Sequence, residues 1–444
     1  MRSKSVSAEF SRRRRQLMKM MGERSVAIVP AAPMRVRSRD VDYRYRQDSD
    51  FYYLTGFEEP QAVAVFIPGR KRGEFIVFCR ERDQLREQWD GARAGTDGVC
   101  EQHGADDAFP IDDIGDILPG LLENAERVFY TMGQYADFDA QVTEWVCALR
   151  GQNIRGIDAP TEFVALDHYL HDMRLFKSRY EIARMRKAAK VAVSAHKRAM
   201  QAVEPGMPEY ALEAEYLHEF RLHGGAPSYP PIVGGGVNAC TLHYIQNDAV
   251  LNDGDLVLVD AGCEIDYYAS DVTRTFPVNG RFSEPQRAVY DIVLEAQLAA
   301  IDATRAGNHW NEPHLAATRV ITSGLKRLGL LEGRLDKLIR DEAYKRYFMH
   351  RTGHWLGIDV HDVGDYKVDD EWRLLEPGMV ITVEPGIYIS PGSPVDPRWH
   401  GIGVRIEDDV VVTRAGPDVL SKGLPKDADD IERFMALGQR RGAA

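Results

Sequence analysis

The chain has 444 residues, of which 44% are hydrophobic and 28% are charged. Because about 150 residues is usual for one domain, this length predicts two domains rather than one very large core. The apolar fraction is sufficient for packed cores, which excludes an intrinsically disordered chain. Lys and Arg total 56 against 68 Asp and Glu, a formal charge of −12. This acidic balance excludes broad electrostatic binding to nucleic acid or to anionic lipid.

The cysteines and the apolar runs indicate where the chain works. Five cysteines are scattered without a C-x-x-C pair, at Cys79, Cys100, Cys147, Cys240 and Cys263. This spacing predicts neither a disulfide framework nor a cysteine zinc site, and it favours the reducing cytoplasm. The apolar runs are far shorter than the roughly 20 residues that a membrane helix needs, so we expect no membrane segment.

Residues 1–175 have the pattern of a mixed α/β domain. At the start, Arg12–Arg15 lie among apolar residues at near-helical spacing, which predicts an amphipathic helix with a solvated basic face rather than a transit peptide. Short β-like runs then alternate with helix-compatible stretches. These runs are Val26–Val29, Ala62–Ile67, Glu74–Phe78 and Arg127–Tyr130.

Residues 176–444 read as a second domain in which one order of elements occurs twice. Ser178 and Glu181 form a capping box that predicts a long helix to about Val203, and a second helix follows over residues 208–223. Strand-like runs come next, at Tyr229–Val233, Cys240–Tyr244, Asp255–Gly262 and Ala269–Val278, the last two able to pair as a hairpin.

The second round of this order begins at Ser283, with a predicted helix to about Ala306. Asn311 can cap another helix that runs to Leu328. Strands are predicted near Met379–Glu384 and Gly401–Val412. Two helices followed by strands, twice over, predict internal pseudo-symmetry and a site between the halves.

Acidic residues close several of the apolar strands in this domain. Asp260 ends one such run, and Asp271 should lie on the strand that returns beside it. Glu384 ends another run, and the period of two places Glu407 on one strand face with Arg405. Since an ionised group at the end of a buried strand is costly unless it is paired or bound to a metal, these four acids need cations.

An imidazole completes the set. His350 and His354 have the i,i+4 spacing of a zinc-protease helix, but Arg351 stands where the base Glu would be and Gly353 weakens a helix, so that interpretation fails. Carboxylates with one imidazole and no thiolate suit Mn²⁺ or Fe²⁺. Two divalent ions would balance four carboxylates, and a water held between ions about 3.5–4 Å apart ionises near neutral pH and becomes the nucleophile.

Each of these residues alone has an ordinary structural explanation. A single strand-end acid is more often a cap or an ion-pair partner, and His243, His350 and His361 would more often be core or surface histidines. The run Gly234–Gly236 is more typical of a turn than of a phosphate-binding loop, because the G-x-G-x-x-G spacing is missing. Only the whole constellation supports a metal centre.

The order of these motifs resembles the metallopeptidases of the methionine aminopeptidase and prolidase superfamily, which have the "pita-bread" fold. The similarity is greatest to the bacterial proline-specific aminopeptidases and runs nearly end to end. It includes Tyr45–Phe51, Thr55–Phe57, Met173–Ser178 and Phe348–His350 in addition to the acidic strands. The resemblance implies an α/β N-terminal domain before an α+β catalytic domain, and an exopeptidase that hydrolyses the bond between an N-terminal residue and a following proline.

The resemblance also implies a role for individual residues. Two divalent ions, usually manganese, would be held by Asp260, Asp271, His354, Glu384 and Glu407, with Asp271 and Glu407 bridging them and Glu384 also acting as general base. His361 and His243 would stabilise the tetrahedral intermediate and the substrate carbonyl. Tyr388 and Arg405 match a proton-relay path through Asp260, and His350 and Tyr229 would line the pocket for proline.

Other features leave alternatives open. Trp89 matches a tryptophan that a neighbouring subunit can contribute to the active site, which implies a homodimer or homotetramer, but ordinary packing explains it equally well. Arg351-Thr352-Gly353 departs from the family, which has small or apolar residues and a serine there. The metal ligands do not separate this activity from a prolidase limited to Xaa-Pro dipeptides. A creatinase-like hydrolase or a binding module on the same scaffold is disfavoured because all five ligands are present.

Overall fold

The computed structural model describes residues 4–152 and 156–442. The chain divides into two compact units, one up to Met173 and one from Arg174 onward. Within the described residues, none of the helices combines the length and the apolar character that crossing a bilayer requires.

The first unit is built on a six-stranded sheet. Its strand order is β6-β5-β4-β1-β7-β8, and β4 runs antiparallel to its neighbours while the other pairs are parallel. All four predicted β-like runs are confirmed, as β1, β4, β5 and β7. The elements are α1 Lys4–Met21, β1 Ser25–Pro30, β2 Val36–Ser38, β3 Val41–Asp42, α2 Ser49–Thr55, β4 Val63–Phe66, β5 Phe75–Cys79, α3 Gln84–Asp90, α4 Gly95–His103, β6 Asp107–Pro110, α5 Ile114–Leu122, β7 Arg127–Phe129, α6 Ala136–Arg150, β8 Glu162–Val164 and α7 Leu166–Leu175, whose last two residues belong to the second unit.

Helix α1 exists as predicted, but its basic residues are not all solvated. Arg13 and Arg14 are buried, and their guanidinium groups donate to the backbone carbonyls of Tyr53 and Leu54. Arg13 also lies over the Tyr53 ring, 4.1 Å from its centroid. The expectation of a solvated basic face is wrong because the carbonyls at the end of α2 and an aromatic face take up these charges in the interior.

The second unit repeats its helix–helix–strand order, as predicted. Two helices lead to the sheet β10-β11-β13, and two long helices followed by one short helix lead to the sheet β16-β19-β20. The elements are α8 Arg179–Ala202, α9 Glu209–Leu222, β9 Ala226–Pro227, β10 Ile232–Gly235, β11 Leu256–Asp260, β12 Cys263–Glu264, β13 Thr273–Pro277, α10 Glu284–Ala303, α11 Glu312–Arg327, α12 Leu335–Arg340, β14 Lys367–Val368, β15 Glu371–Trp372, β16 Val380–Val383, β17 Gly386–Ile389, β18 Ile402–Arg405, β19 Asp408–Thr413, β20 Gly416–Val419 and α13 Ala428–Gly442.

The local signals of this unit are largely confirmed. The capping box is formed reciprocally, since Ser178 accepts from the Glu181 amide and Glu181 accepts from the Ser178 amide. Strands β11 and β13 pair antiparallel with Asp260 opposite Thr273. The predicted strand over 240–244 is wrong, because a 3₁₀ helix, Gly236–Cys240, precedes an irregular segment there.

Candidate metal centre

The four strand-borne acids lie where strands begin or end. Asp260 is the last residue of β11. Asp271 lies two residues before the start of β13, which is the strand next to β11. Glu384 follows β16 directly, and Glu407 lies between β18 and β19. Strand ends leave the backbone ladder, so a side chain there can turn into the space between sheets while the apolar strand behind it stays in the core.

The structure brings these groups into one cluster. Single ligand atoms of Asp271, His354 and Glu407 all lie within 4.8 Å of one another. His354 Nε2 is 3.4 Å from Asp271 Oδ2 and 3.7 Å from Glu384 Oε1. The Tyr229 hydroxyl joins the remaining acid, since it lies 2.5 Å from Asp260 Oδ1 and 2.5 Å from Asp271 Oδ1. All five predicted metal ligands therefore converge.

The pKa values show how unevenly this buried charge is balanced. Burial raises the pKa of Asp260 and of Glu407 above the usual range, and it raises the pKa of Glu384 to about 7. Burial also acts against Asp271, but the hydrogen bond with His354 holds the pKa of Asp271 below its usual value. Burial opposes protonation of His354, yet Asp271 and Glu384 together raise its pKa to about 9.

The directions of these pKa shifts are in line with a site for divalent cations. Four carboxylates share the space with Arg405 and His354, and three of the four have raised pKa values because burial disfavours their charged forms and the neighbouring carboxylates repel one another. A divalent ion replaces the protons that such a cluster otherwise takes up. The donor set of oxygens with one imidazole nitrogen suits a hard or borderline metal ion.

A chain of hydrogen bonds leads away from Asp260. Arg405 Nη2 donates to Asp260 Oδ2 over 2.7 Å, and Arg405 Nη1 donates to the Tyr388 hydroxyl over 2.8 Å. Tyr388 lies 2.9 Å from His350 Nε2. Because the Arg351 carbonyl can only accept, its distance of 2.6 Å from His350 Nδ1 assigns the ring proton to Nδ1, and Nε2 of the neutral ring then accepts from the Tyr388 hydroxyl. Burial lowers the pKa of His350 to about 3, in agreement with a neutral ring.

Two threonines support the cluster, and the sequence analysis missed them. The Thr273 hydroxyl donates to Glu407 Oε2 over 2.6 Å. The Thr382 hydroxyl accepts from the His354 amide and lies 3.3 Å from Glu384 Oε1. Thr382 precedes Glu384 by two residues, as Thr273 follows Asp271 by two, so the period of two that selected the acids could have found both hydroxyls.

The cluster forms the floor of a cavity of about 350 Å³. The His361 ring packs edge-on against His354, with centroids 4.3 Å apart. The cavity is lined by Leu242, His243, Asp260, Asp271, His350, Arg351, Gly353, His354, His361, Tyr366, Glu384, Arg405 and Glu407. The structure thus places His243, His350 and His361 at the cavity, and it places Tyr229 against the carboxylates of Asp260 and Asp271. Trp89 is 86% exposed on α3 of the first unit.

A buried ion-pair group anchors the segment that carries His361. Asp362 is buried, and its carboxylate lies 2.6 Å from Arg174 Nη2 and 2.8 Å from Lys177 Nζ. Arg174 also reaches Asp359 over 2.6 Å. Burial opposes ionisation of Asp362, but the two cations hold its pKa below the usual value. These contacts tie the 359–362 segment to the chain just before α8.

Comparisons with known proteins agree with this fold and site. Residues 183–414 match the family described as Metallopeptidase family M24, and residues 10–130 match the Aminopeptidase P, N-terminal domain. The Xaa-Pro aminopeptidase of Escherichia coli strain K12 is 45% identical over 435 residues, 98% of this chain and 98% of that protein. The structure of Pseudomonas aeruginosa aminopeptidase PepP matches with a TM-score of 0.97 and 59% identity, over 98% of this chain and 99% of that one.

A second solved structure bears on the metal. The Zn substituted Escherichia coli aminopeptidase P in complex with product has a TM-score of 0.95 and 45% identity, over 97% of this chain and 98% of that one. Fold and site together define a metal-dependent hydrolase with a pita-bread catalytic domain that follows an N-terminal domain in the chain. The chain belongs to metallopeptidase family M24. Divalent metal ions are the cofactors of this family, and the predicted fold class is confirmed.

We expect Asp362→Asn to lower the free energy of unfolding by about 3–5 kcal/mol, because it leaves buried cations without their partner. Urea unfolding followed by fluorescence measures the loss. Since the folded-state pKa of Asp362 is lowered, its contribution is present above the unfolded pKa of about 3.9 and is lost as the pH falls through the folded value, so wild type and variant should converge in acid.

The matched control is Asp359→Asn, since Asp359 contacts the same arginine but its side chain is 35% exposed. Because the Asp359 carboxylate is partly solvated and Arg174 keeps Asp362 as its partner, the loss should be no more than about 1 kcal/mol. Equal losses in the two variants at neutral pH would contradict the assignment of Asp362 as the anchor.

Proposed function

We propose that this chain is a Xaa-Pro aminopeptidase, a hydrolase that removes an N-terminal residue when proline follows it. The observation that carries the proposal is the convergence of Asp260, Asp271, His354, Glu384 and Glu407 at one cavity. The end-to-end similarity to proteins named Xaa-Pro aminopeptidase supports the substrate class. The substrates are peptides with proline at the second position.

We propose that the five predicted ligands would hold two divalent ions, both expected to be Mn²⁺. Asp271 and Glu407 would be shared between the two ions. Bound ions supply a Lewis acid and water that ionises near neutral pH. Around them, Thr273 and Thr382 hold the Glu407 and Glu384 carboxylates in place through their hydroxyls. Arg405 holds Asp260 in the same way, by a hydrogen bond of 2.7 Å.

The side chains of the cavity divide the proton transfers between them. Glu384, which lies 3.7 Å from His354 Nε2 and 3.3 Å from the Thr382 hydroxyl, is placed to take a proton from the attacking water and return it to the leaving imino nitrogen of proline. His361 and His243 stand at the cavity as donors to the carbonyl oxygen, where negative charge develops. The acidic floor attracts the free amino terminus of the peptide. The Arg405–Tyr388–His350 chain offers a path for a proton between the floor and the cavity rim.

The remaining assignments extend this proposal. His350 contributes to the proline pocket, and Tyr229 does so from its position beside Asp260 and Asp271. Trp89, which is exposed on α3, meets the active site of a neighbouring subunit in a homodimer or homotetramer. Residues 1–175 form the N-terminal domain, and 176–444 the catalytic domain. The enzyme works in the cytoplasm, in line with five free thiols.

Metal loading should raise the stability of the metal-free protein. At a free Mn²⁺ concentration 100 times its Kd, the free energy of unfolding should increase by about 2.7 kcal/mol, because the unfolded chain lacks the assembled site. Thermal unfolding with and without Mn²⁺ measures this, and Asp271→Asn should reduce the response. Metal analysis of protein purified from its own host identifies the physiological ion. Absence of both binding and stabilisation would restore the scaffold-only alternative.

Peptide length distinguishes the aminopeptidase from a prolidase. We expect Ala-Pro-Ala to be cleaved to alanine and Pro-Ala, as measured by release of free alanine. Cleavage of the dipeptide Ala-Pro with Ala-Pro-Ala untouched would assign the chain as a prolidase instead.

Replacement of the proposed base tests the chemistry. Glu384→Ala should lower kcat by at least about 10³-fold, because it removes a metal ligand and the proton acceptor together. Glu376→Ala, at an exposed acid eight residues earlier in the chain, is the matched control and should retain wild-type turnover. Preserved turnover in Glu384→Ala would refute the mechanism.

A further inference from the structure

Arg351 stands at the cavity in a position that the proposed chemistry does not use. It lines the same cavity as Glu384 and His350, and its side chain is exposed.

The guanidinium of Arg351 is held from two sides. Its Nη2 donates to the Asn311 side-chain oxygen, and its planar group lies over the Trp372 ring, 5.0 Å from the centroid. Asn311 occupies the N-cap position of α11, but its side chain makes no capping hydrogen bond. The side-chain oxygen of Asn311, which would accept from a helix amide in a cap, accepts from Arg351 instead. Neutral partners thus fix the position of the guanidinium and leave its charge intact.

No carboxylate among the described residues forms an ion pair with Arg351. The other arginine of the cavity, Arg405, is buried and committed to Asp260 and Tyr388. Lys367 adds a second positive charge on the same Trp372 ring, 4.9 Å from its centroid, but does not line the cavity. Arg351 therefore places an unpaired positive charge at the rim of the cavity, whereas the floor of the cavity is acidic.

The charges of a bound peptide are complementary to those of the cavity floor and of Arg351 at the rim. Its amino terminus is positive and belongs at the acidic floor, so the chain that follows the scissile bond runs outward past the rim. A guanidinium fork matches a carboxylate in geometry and charge. We propose that Arg351 forms a subsite for a carboxylate on the C-terminal side of the scissile bond, supplied by the free C-terminus of a short peptide or by an acidic side chain. The subsite rests on the proposed function and adds a substrate preference to it.

Four peptides separate the two sources of carboxylate. Ala-Pro-Ala is compared with its C-terminal amide, and Ala-Pro-Asp-amide with Ala-Pro-Asn-amide. If a pair of peptides uses the subsite, the wild type should have a KM about 10-fold lower for the peptide with the carboxylate than for its neutral partner. A hydrogen bond to one charged group accounts for a difference of this size. Arg351→Gln should remove that difference while kcat and metal content stay near wild type. Arg351→Lys, which keeps the charge without the fork, should retain part of it.

A binding measurement gives a second readout without turnover. Pro-Leu and Pro-Leu-amide have no N-terminal residue before proline, and calorimetry on the metal-loaded protein compares their Kd values. The wild type should prefer Pro-Leu, and Arg351→Gln should not. Lys367→Gln is the matched control, since it removes a cation from the same aromatic ring and should leave the preference unchanged.

The outcomes are distinct. Preference in the first peptide pair alone assigns the subsite to the C-terminus, and preference in the second pair assigns it to an acidic side chain. If Arg351→Gln weakens acid and amide members equally, Arg351 acts by supporting His350 through its backbone and the subsite proposal is overturned. If the wild type prefers neither acid, the proposal is overturned as well. If the wild type cleaves none of the four peptides, the proposed function itself fails.

Discussion

The burial of four carboxylates in one cavity is the constraint on which the catalytic unit depends. An ionised acid in the interior costs several kcal/mol unless a cation or hydrogen bonds compensate it. Here Arg405 compensates Asp260, His354 compensates Asp271, and hydroxyls support Glu384 and Glu407. The raised pKa values show that this compensation is incomplete. The fold thus holds a charge imbalance that divalent ions relieve, which makes metal binding and stability parts of one property.

The pseudo-repeated architecture explains how such a cluster is reached. Each helix pair covers a small sheet whose apolar strands fill the core, and the acids lie at or beside the strand termini. Outside the cluster, Asp362 pairs with Arg174 and Lys177. These ion pairs fix the segment of His361 without placing another unpaired charge near the four acids.

Much of the catalytic site could be predicted because its signals are local. An apolar run that ends in an acid identifies Asp260 and Glu384, and alternation identifies Glu407 beside Arg405. The Ser178–Glu181 capping box located the start of α8 to the residue. Signals that depend on distant partners were missed or misread. Arg13 and Arg14 looked solvated in the sequence, and nothing local indicated that the carbonyls of Tyr53 and Leu54 would accept from them.

The sequence by itself determined which acidic and imidazole side chains meet at the cavity, their order, and most of the helices and strands around them, because hydrophobic period, caps and strand-end acids are local signals that span only a few residues. Only the tertiary structure decided which side chains form hydrogen bonds with one another. Arg405 meets Asp260 across 145 positions, and Asn311 serves Arg351 rather than its own helix. Such pairings depend on how the sheets and helices pack, since a side chain bonds to whatever the fold brings within reach and not to what its neighbours in sequence would suggest.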